Sequence, residues 1–130
     1  PLDEDVRARL ASARGTAAKD YVLAKREQQR LIKAFHEAMA NVDVLLTPTT
    51  TEAAPVVSEI DQTGTPALFT RAVNMAEMCA CAAPIGFSTG GLPLSAQFIA
   101  AYGSEPLALR AAWGYEKASG WEIPVPGAFR

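Results

Sequence analysis

The chain has 130 residues, 49% of them hydrophobic and 20% charged, and its 12 basic and 14 acidic side chains give a formal charge of −2. This length suits one domain or one piece of a larger one, and the apolar content suffices for a core, which argues against disorder. The near-neutral balance, with no basic stripe, argues against a nucleic-acid binder, and no apolar run approaches the ~18 residues that a bilayer span requires.

The acidic opening Pro1-Leu2-Asp3-Glu4-Asp5 lacks the basic region and apolar stretch of a signal peptide, and the absence of a leading Met raises the expectation that further chain precedes it. Residues 2–13 read as a short helix with Asp3, Glu4 and Asp5 in the first turn, where the helix dipole favours negative charge. Gly15 marks a break, and Thr16 is placed to cap a second helix running to about Asn41. Its apolar residues Ala17, Tyr21, Ala24, Leu31, Phe35 and Met39 recur at spacings that place them on one stripe, while charges of both signs occupy the other faces.

The run Val42 to Thr47 predicts a buried strand of the parallel-sheet kind. Residues 49–66, rich in Thr, Pro, Ala and Gly, read as a loop whose length suggests service to a site. Residues 68–78 fit either loop or helix. Two strands follow, over 79–87 and 92–101, joined by the turn Ser88-Thr89-Gly90-Gly91, with Pro84 and Pro93 marking irregular or edge positions. Ser104 opens a last helix with Glu105 and Pro106 in its first turn, and Gly120 closes it. Cys79 and Cys81 share one strand face, an arrangement unsuited to a disulfide, and read as two buried thiols in a reducing, cytoplasmic setting. The order of elements is α/β, and three strands are few for this much apolar sequence, so a larger sheet is expected to continue beyond the chain.

Gly86-Phe87-Ser88-Thr89-Gly90 matches the nucleophile-elbow pattern, but that motif needs a strand–turn–helix setting with a histidine downstream. Here a second strand follows Ser88, and the only histidine, His36, precedes it, so the segment reads as a hairpin turn. His36 itself reads as a surface or hydrogen-bonded structural residue. Asp43 reads as a turn or cap residue, and Trp113 and Trp121 as packing. From the residues alone the reading stops at an α/β domain or part of one.

Several phrases in order then carry a resemblance. They are Asp43-Val44-Leu45-Leu46-Thr47-Pro48-Thr49 after a long helix, Ala54-Pro55, Phe69-Thr70 with Asn74 close behind, Pro84-Ile85-Gly86-Phe87, and Gly91-Leu92-Pro93-Leu94 leading to Gln97. Glu116, Trp121 and a proline-rich tail complete the set. Together, over about Tyr21 to Pro126, the chain resembles the C-terminal segment of amidase-signature amide hydrolases. The resemblance implies a three-layer α/β/α sandwich around a mixed sheet, incomplete in this chain. It also implies a small-molecule amide substrate for the full-length enzyme, with no cofactor, and it leaves a homo-oligomer open. The implied chemistry is acyl transfer to a serine, with a lysine acting as base through a second serine on a cis peptide bond and with backbone N–H groups holding the oxyanion. All those groups are expected upstream, because no serine here sits in a Gly-Gly-Ser-Ser context. By similarity, Thr70 and Val73 are expected to line the acyl-binding channel, and Asn74 to fix the loop that carries them.

Two departures stand out. Family members usually carry Gly-Leu-Pro-Ala where this chain has Glu77-Met78-Cys79-Ala80, and the amidotransferase branch carries an acidic residue where Ala67 stands, which speaks against glutamine as substrate. The alternative reading is a non-catalytic, stand-alone domain of the same descent, acting by protein association through an exposed sheet edge.

Overall fold

The computed structural model describes residues 3–60 and 67–120. The element order is α1 (Glu4–Ser12), α2 (Ala18–Ala38), β1 (Leu45–Pro48), α3 (Leu68–Met75), β2 (Cys79–Phe87), β3 (Pro93–Ala100) and α4 (Glu105–Ser119), with short 3₁₀ turns at Ala13–Gly15 and Val57–Glu59. The tail with Trp121, and residues 61–66 of the expected loop, lie outside the described residues.

The three strands form one antiparallel sheet in the order β1-β3-β2. The first of them, expected as a buried parallel strand, is therefore an edge strand among the described residues. It pairs with β3 from Leu45↔Ile99 to Pro48↔Ala96, and its burial alternates instead of running continuously. The reason lies in its neighbour: β3 is the central strand and carries the burial, with Ala96, Gln97, Phe98, Ile99 and Ala100 all enclosed. The hairpin that sets β2 against β3 matches the bounds read from its turn signals to within a residue. The Ser88 amide donates to the Leu92 carbonyl at 2.8 Å, the Ser88 hydroxyl accepts the Leu92 amide at 3.1 Å, and Gly91 takes φ +78°. On β2 a bulge between Pro84 and Gly86 absorbs the proline, which has no N–H for the ladder.

Directly paired residues share a sheet face, so the register separates two cores. On one face Phe98 and Ala83 pack under Ala112 of α4, with Val44, Cys81, Ala111 and Tyr115 at the margin. The rings of Phe98 and Tyr115 lie 5.7 Å apart. Ala108 and Ala112 are both buried, and their small side chains let α4 approach the sheet closely. On the other face Ile99 packs with Val73, Ala76 and Met78, and Phe35, Met39 and Leu45 lean on that group. Helices thus cover both faces, the α/β/α layering expected, although every strand pairing among the described residues is antiparallel.

Only part of the α2 stripe performs as its spacing suggests. Gln28, Leu31, Ile32, Phe35, His36 and Met39 are half-buried, whereas residues 18–27 are exposed throughout, Tyr21 to 62%. The caps differ too. Ala17, not Thr16, is the N-cap of α2, and neither Ala17 nor Ser104 makes a side-chain cap hydrogen bond. Gly120 closes α4 in the left-handed conformation at φ +60°, as its position implied. Trp113, expected to pack, is exposed, with the Lys117 ammonium 5.9 Å from its ring centroid. Cys79 and Cys81 are free and half-buried, not enclosed; the Cys79 thiol faces the carbonyls of Ala100 and Ala101 at 3.5 and 3.3 Å.

Candidate functional site

The segment 68–78 resolves as helix followed by a tight turn, and that turn shapes the site. α3 is a short helix whose Val73 is buried against Ile99 while Thr70 is half-buried and Asn74 exposed. It ends in a double closure: the Met78 amide donates to the Val73 carbonyl at 3.1 Å and the Glu77 amide to the Asn74 carbonyl at 3.3 Å. This is the Schellman arrangement, which requires a left-handed residue just past the helix and favours glycine there. Glu77 fills that place at φ +56°, alone among the described non-glycine residues in having a positive φ. The backbone bend therefore exists at the position where the resemblance leads one to expect glycine, with a β-carbon added.

Side chains of α2 finish the same helix end. His36 Nε2 lies 3.1 Å from the Ala76 carbonyl, and Gln28 Nε2 donates to the Met75 carbonyl at 3.5 Å. A carbonyl only accepts, so Nε2 is the nitrogen through which His36 donates. The lone histidine is thus a structural tie that holds α3 against α2, and two carbonyls at an open helix end gain partners.

Between α3 and the uncovered part of the sheet lies a cavity of about 270 Å³. Thr70, Val73 and Asn74 all line it, so the three residues singled out by resemblance meet at one place. Asn74, expected to fix the loop that carries Thr70 and Val73, accepts the Glu77 amide through its backbone carbonyl in the closing turn. Sheet residues given no site role from the sequence form the floor: Ala80, Ala82 and Gln97, with Thr49 and Met78 at the sides. Gln97 lies in the middle of one cross-strand row, Thr47–Gln97–Ala82, and is 3% exposed. Its amide Nε2 donates to Thr47 Oγ1 at 2.9 Å and, more weakly, to the Pro48 carbonyl at 3.4 Å. Two sequence signals touched it, a polar residue within an apolar strand and its place at the end of the Gly91-Leu92-Pro93-Leu94 phrase, and neither gave it a role.

The described residues hold no group of three or more His, Cys, Asp or Glu side chains able to bind a metal. No helix among them is long and apolar enough to cross a membrane. The Ser88 hydroxyl is engaged in the hairpin turn, followed by β3, so the elbow-like pattern lacks the geometry of a nucleophile elbow. Elsewhere charge is solvated: on α2 the Arg30 guanidinium, hydrogen-bonded to Glu27, holds that carboxyl below its ordinary range, and both side chains are exposed.

Over 109 residues the chain is 36% identical to a glutamyl-tRNA(Gln) amidotransferase subunit from Neisseria meningitidis, covering 82% of this chain and 23% of that protein. It is 32% identical over 128 residues to the fatty acid amide hydrolase of Medicago truncatula, covering 92% of this chain and 21% of that protein. The solved structure of an allophanate hydrolase from Kluyveromyces lactis superposes with a TM-score of 0.76 at 28% identity, over 85% of this chain and 19% of that one. The chain spans less than a quarter of the length of these curated relatives. The sequence profile described as Amidase matches residues 1–109, and the chain belongs to that amidase family.

Proposed function

We propose that this chain is the C-terminal portion of an amidase domain and that the complete protein hydrolyses the C–N bond of a small-molecule amide. In this reading the segment shapes the acyl-binding pocket and is inactive alone. The bond-breaking groups, a nucleophilic serine, a second serine on a cis peptide bond and a lysine base, are supplied by upstream chain. The observation that carries the reading is the cavity in which Thr70, Val73 and Asn74 meet. Its apolar residues Val73, Met78, Ala80 and Ala82 suit the acyl part of an amide, while the polar Thr49, Thr70, Asn74 and Gln97 provide orientation. The same reading needs no cofactor and fits a cytoplasmic enzyme.

The pocket assignment is tested by Thr70→Trp in the intact protein. An indole at that wall takes up much of a 270 Å³ cavity, so kcat/KM for long-chain amides is expected to fall by on the order of 10-fold or more relative to acetamide-sized substrates. An unchanged size preference and unchanged KM would remove Thr70 from the pocket. An intact protein that turns over no amide at all would sink the hydrolase reading and favour the association domain.

A further inference from the structure

Ala80 and Ala82 are exposed residues of β2 that line the cavity. Their register partners on β3 are Ile99 and Gln97. Ile99 packs with Val73, Ala76 and Met78, so both alanine methyl groups stand on the sheet face that carries α3. Ala83, the next residue, lies on the opposite face and is 2% exposed, in the core under α4. Alanine is depleted in strands, where β-branched and aromatic side chains pack better. Two alanines at successive positions of one face therefore keep the floor low where most strands would raise it.

Successive side chains on one face of a strand stand about 6.5–7 Å apart, so the two methyl groups form a flat apolar platform that one six-membered ring covers. The rest of the apolar lining comes from Val73 and Met78, both buried. A buried thioether beside such a platform favours an aromatic ring over a saturated one, through contact of the sulfur with the ring edge. The space is ample: an apolar cavity of about 150 Å³ holds benzene, and this one measures about 270 Å³. The described lining has no ionisable side chain, so a charged group resting there would lack a counter-charge and an uncharged ring fits. A flexible hydrocarbon chain covers the same platform only by giving up rotational freedom that a ring never had.

Resting on the hydrolase reading above, we propose that Ala82 is a specificity-determining residue: with Ala80 it forms a platform for an aromatic ring in the acyl part of the substrate. The preferred substrates are then amides of aryl-bearing acids, of which phenylacetamide is the simplest probe.

The first test leaves the sequence unchanged, so that it does not depend on a variant folding. The intact protein, labelled with ¹³C at its alanine methyl groups, is titrated with 2-phenylethanol, which carries the ring but no cleavable amide, and separately with 1-hexanol. Ring currents from the aromatic probe are expected to move the Ala80 and Ala82 methyl signals upfield and to leave Ala83 unmoved, with no comparable upfield shift from 1-hexanol. Ala80 and Ala82 signals that stay in place would overturn the proposal. The second test is kinetic. In Ala82→Leu the ratio of kcat/KM for phenylacetamide to that for acetamide is expected to fall by about 10-fold or more, whereas Ala82→Ser, nearly the same size, keeps it. A folded Ala82→Leu variant that still cleaves phenylacetamide at the parent ratio would overturn the platform and leave the hydrolase reading intact. Upfield shifts at Ala80 and Ala82 in a protein that cleaves no amide would retain the platform and sink amide hydrolysis.

Discussion

The C-terminal half of the chain and its N-terminal helices are both rich in apolar residues but are stabilised differently. The hairpin β2–β3 and α4 enclose their own side chains: Ile99 is 2% exposed, Ala112 4% and Phe98 6%. In α1 and the first half of α2, Leu10 is 60% exposed, Tyr21 62% and Leu23 58%. Amphipathic spacing states which residues a helix can bury, and only a partner surface decides whether it does. Gln28 marks the crossover on α2: from there on, the sheet and α3 supply the partner.

That contrast can be broken by mutation, beginning where the effect should be largest. Ile99→Ala removes the central side chain of the core beneath α3 and should cost about 3–4 kcal/mol in denaturant unfolding; a loss below about 1 kcal/mol would show that this core is not well packed. Glu77→Gly addresses the joint between the two regions. It relieves a left-handed residue that bears a β-carbon, and after the entropy of the more flexible unfolded chain is deducted it should stabilise by about 0.5–1 kcal/mol. Destabilisation would mean that the Glu77 side chain makes a contribution that outweighs its backbone cost. Tyr21→Ala should change stability by less than about 0.5 kcal/mol in the isolated chain. A larger loss there would mean that the N-terminal half of α2 has a partner surface after all. The Glu27–Arg30 pair is expected to matter least. Its contribution is present above the ordinary carboxyl range and is lost as pH falls through the lowered Glu27 value. Because both side chains are exposed, acidification over that range should leave the unfolding midpoint of Arg30→Ala indistinguishable from the parent's.

The sequence was most informative where structure is decided locally. Gly90-Gly91 between two apolar runs located the hairpin, and Gly120 the end of α4, because tight turns and helix ends constrain backbone angles at single residues. It was less informative where distant residues decide. Nothing near Val42–Thr47 reveals that the strand pairs antiparallel to β3, because its partners begin at Ala96. The site was legible in part, and only by resemblance: Thr70, Val73 and Asn74 belong to one recognisable phrase. Gln97 was part of another such phrase but received no role from it, since one glutamine in a strand faces solvent as readily as core, and its partner Thr47 is 50 residues earlier.

The end of α3 is held by His36 and Gln28, side chains 40 and 47 residues away in the chain. A local hairpin can form early, but this closure waits for a long loop to be drawn in. In folding, therefore, the sheet is expected to precede the wall that faces it. In the native state the order reverses: a fluctuation that lifts α2 frees the Met75 and Ala76 carbonyls and lets the wall breathe while the hairpin amides stay protected from hydrogen exchange. The cavity then has one stiff side and one compliant side, and its width follows how firmly a single helix is seated.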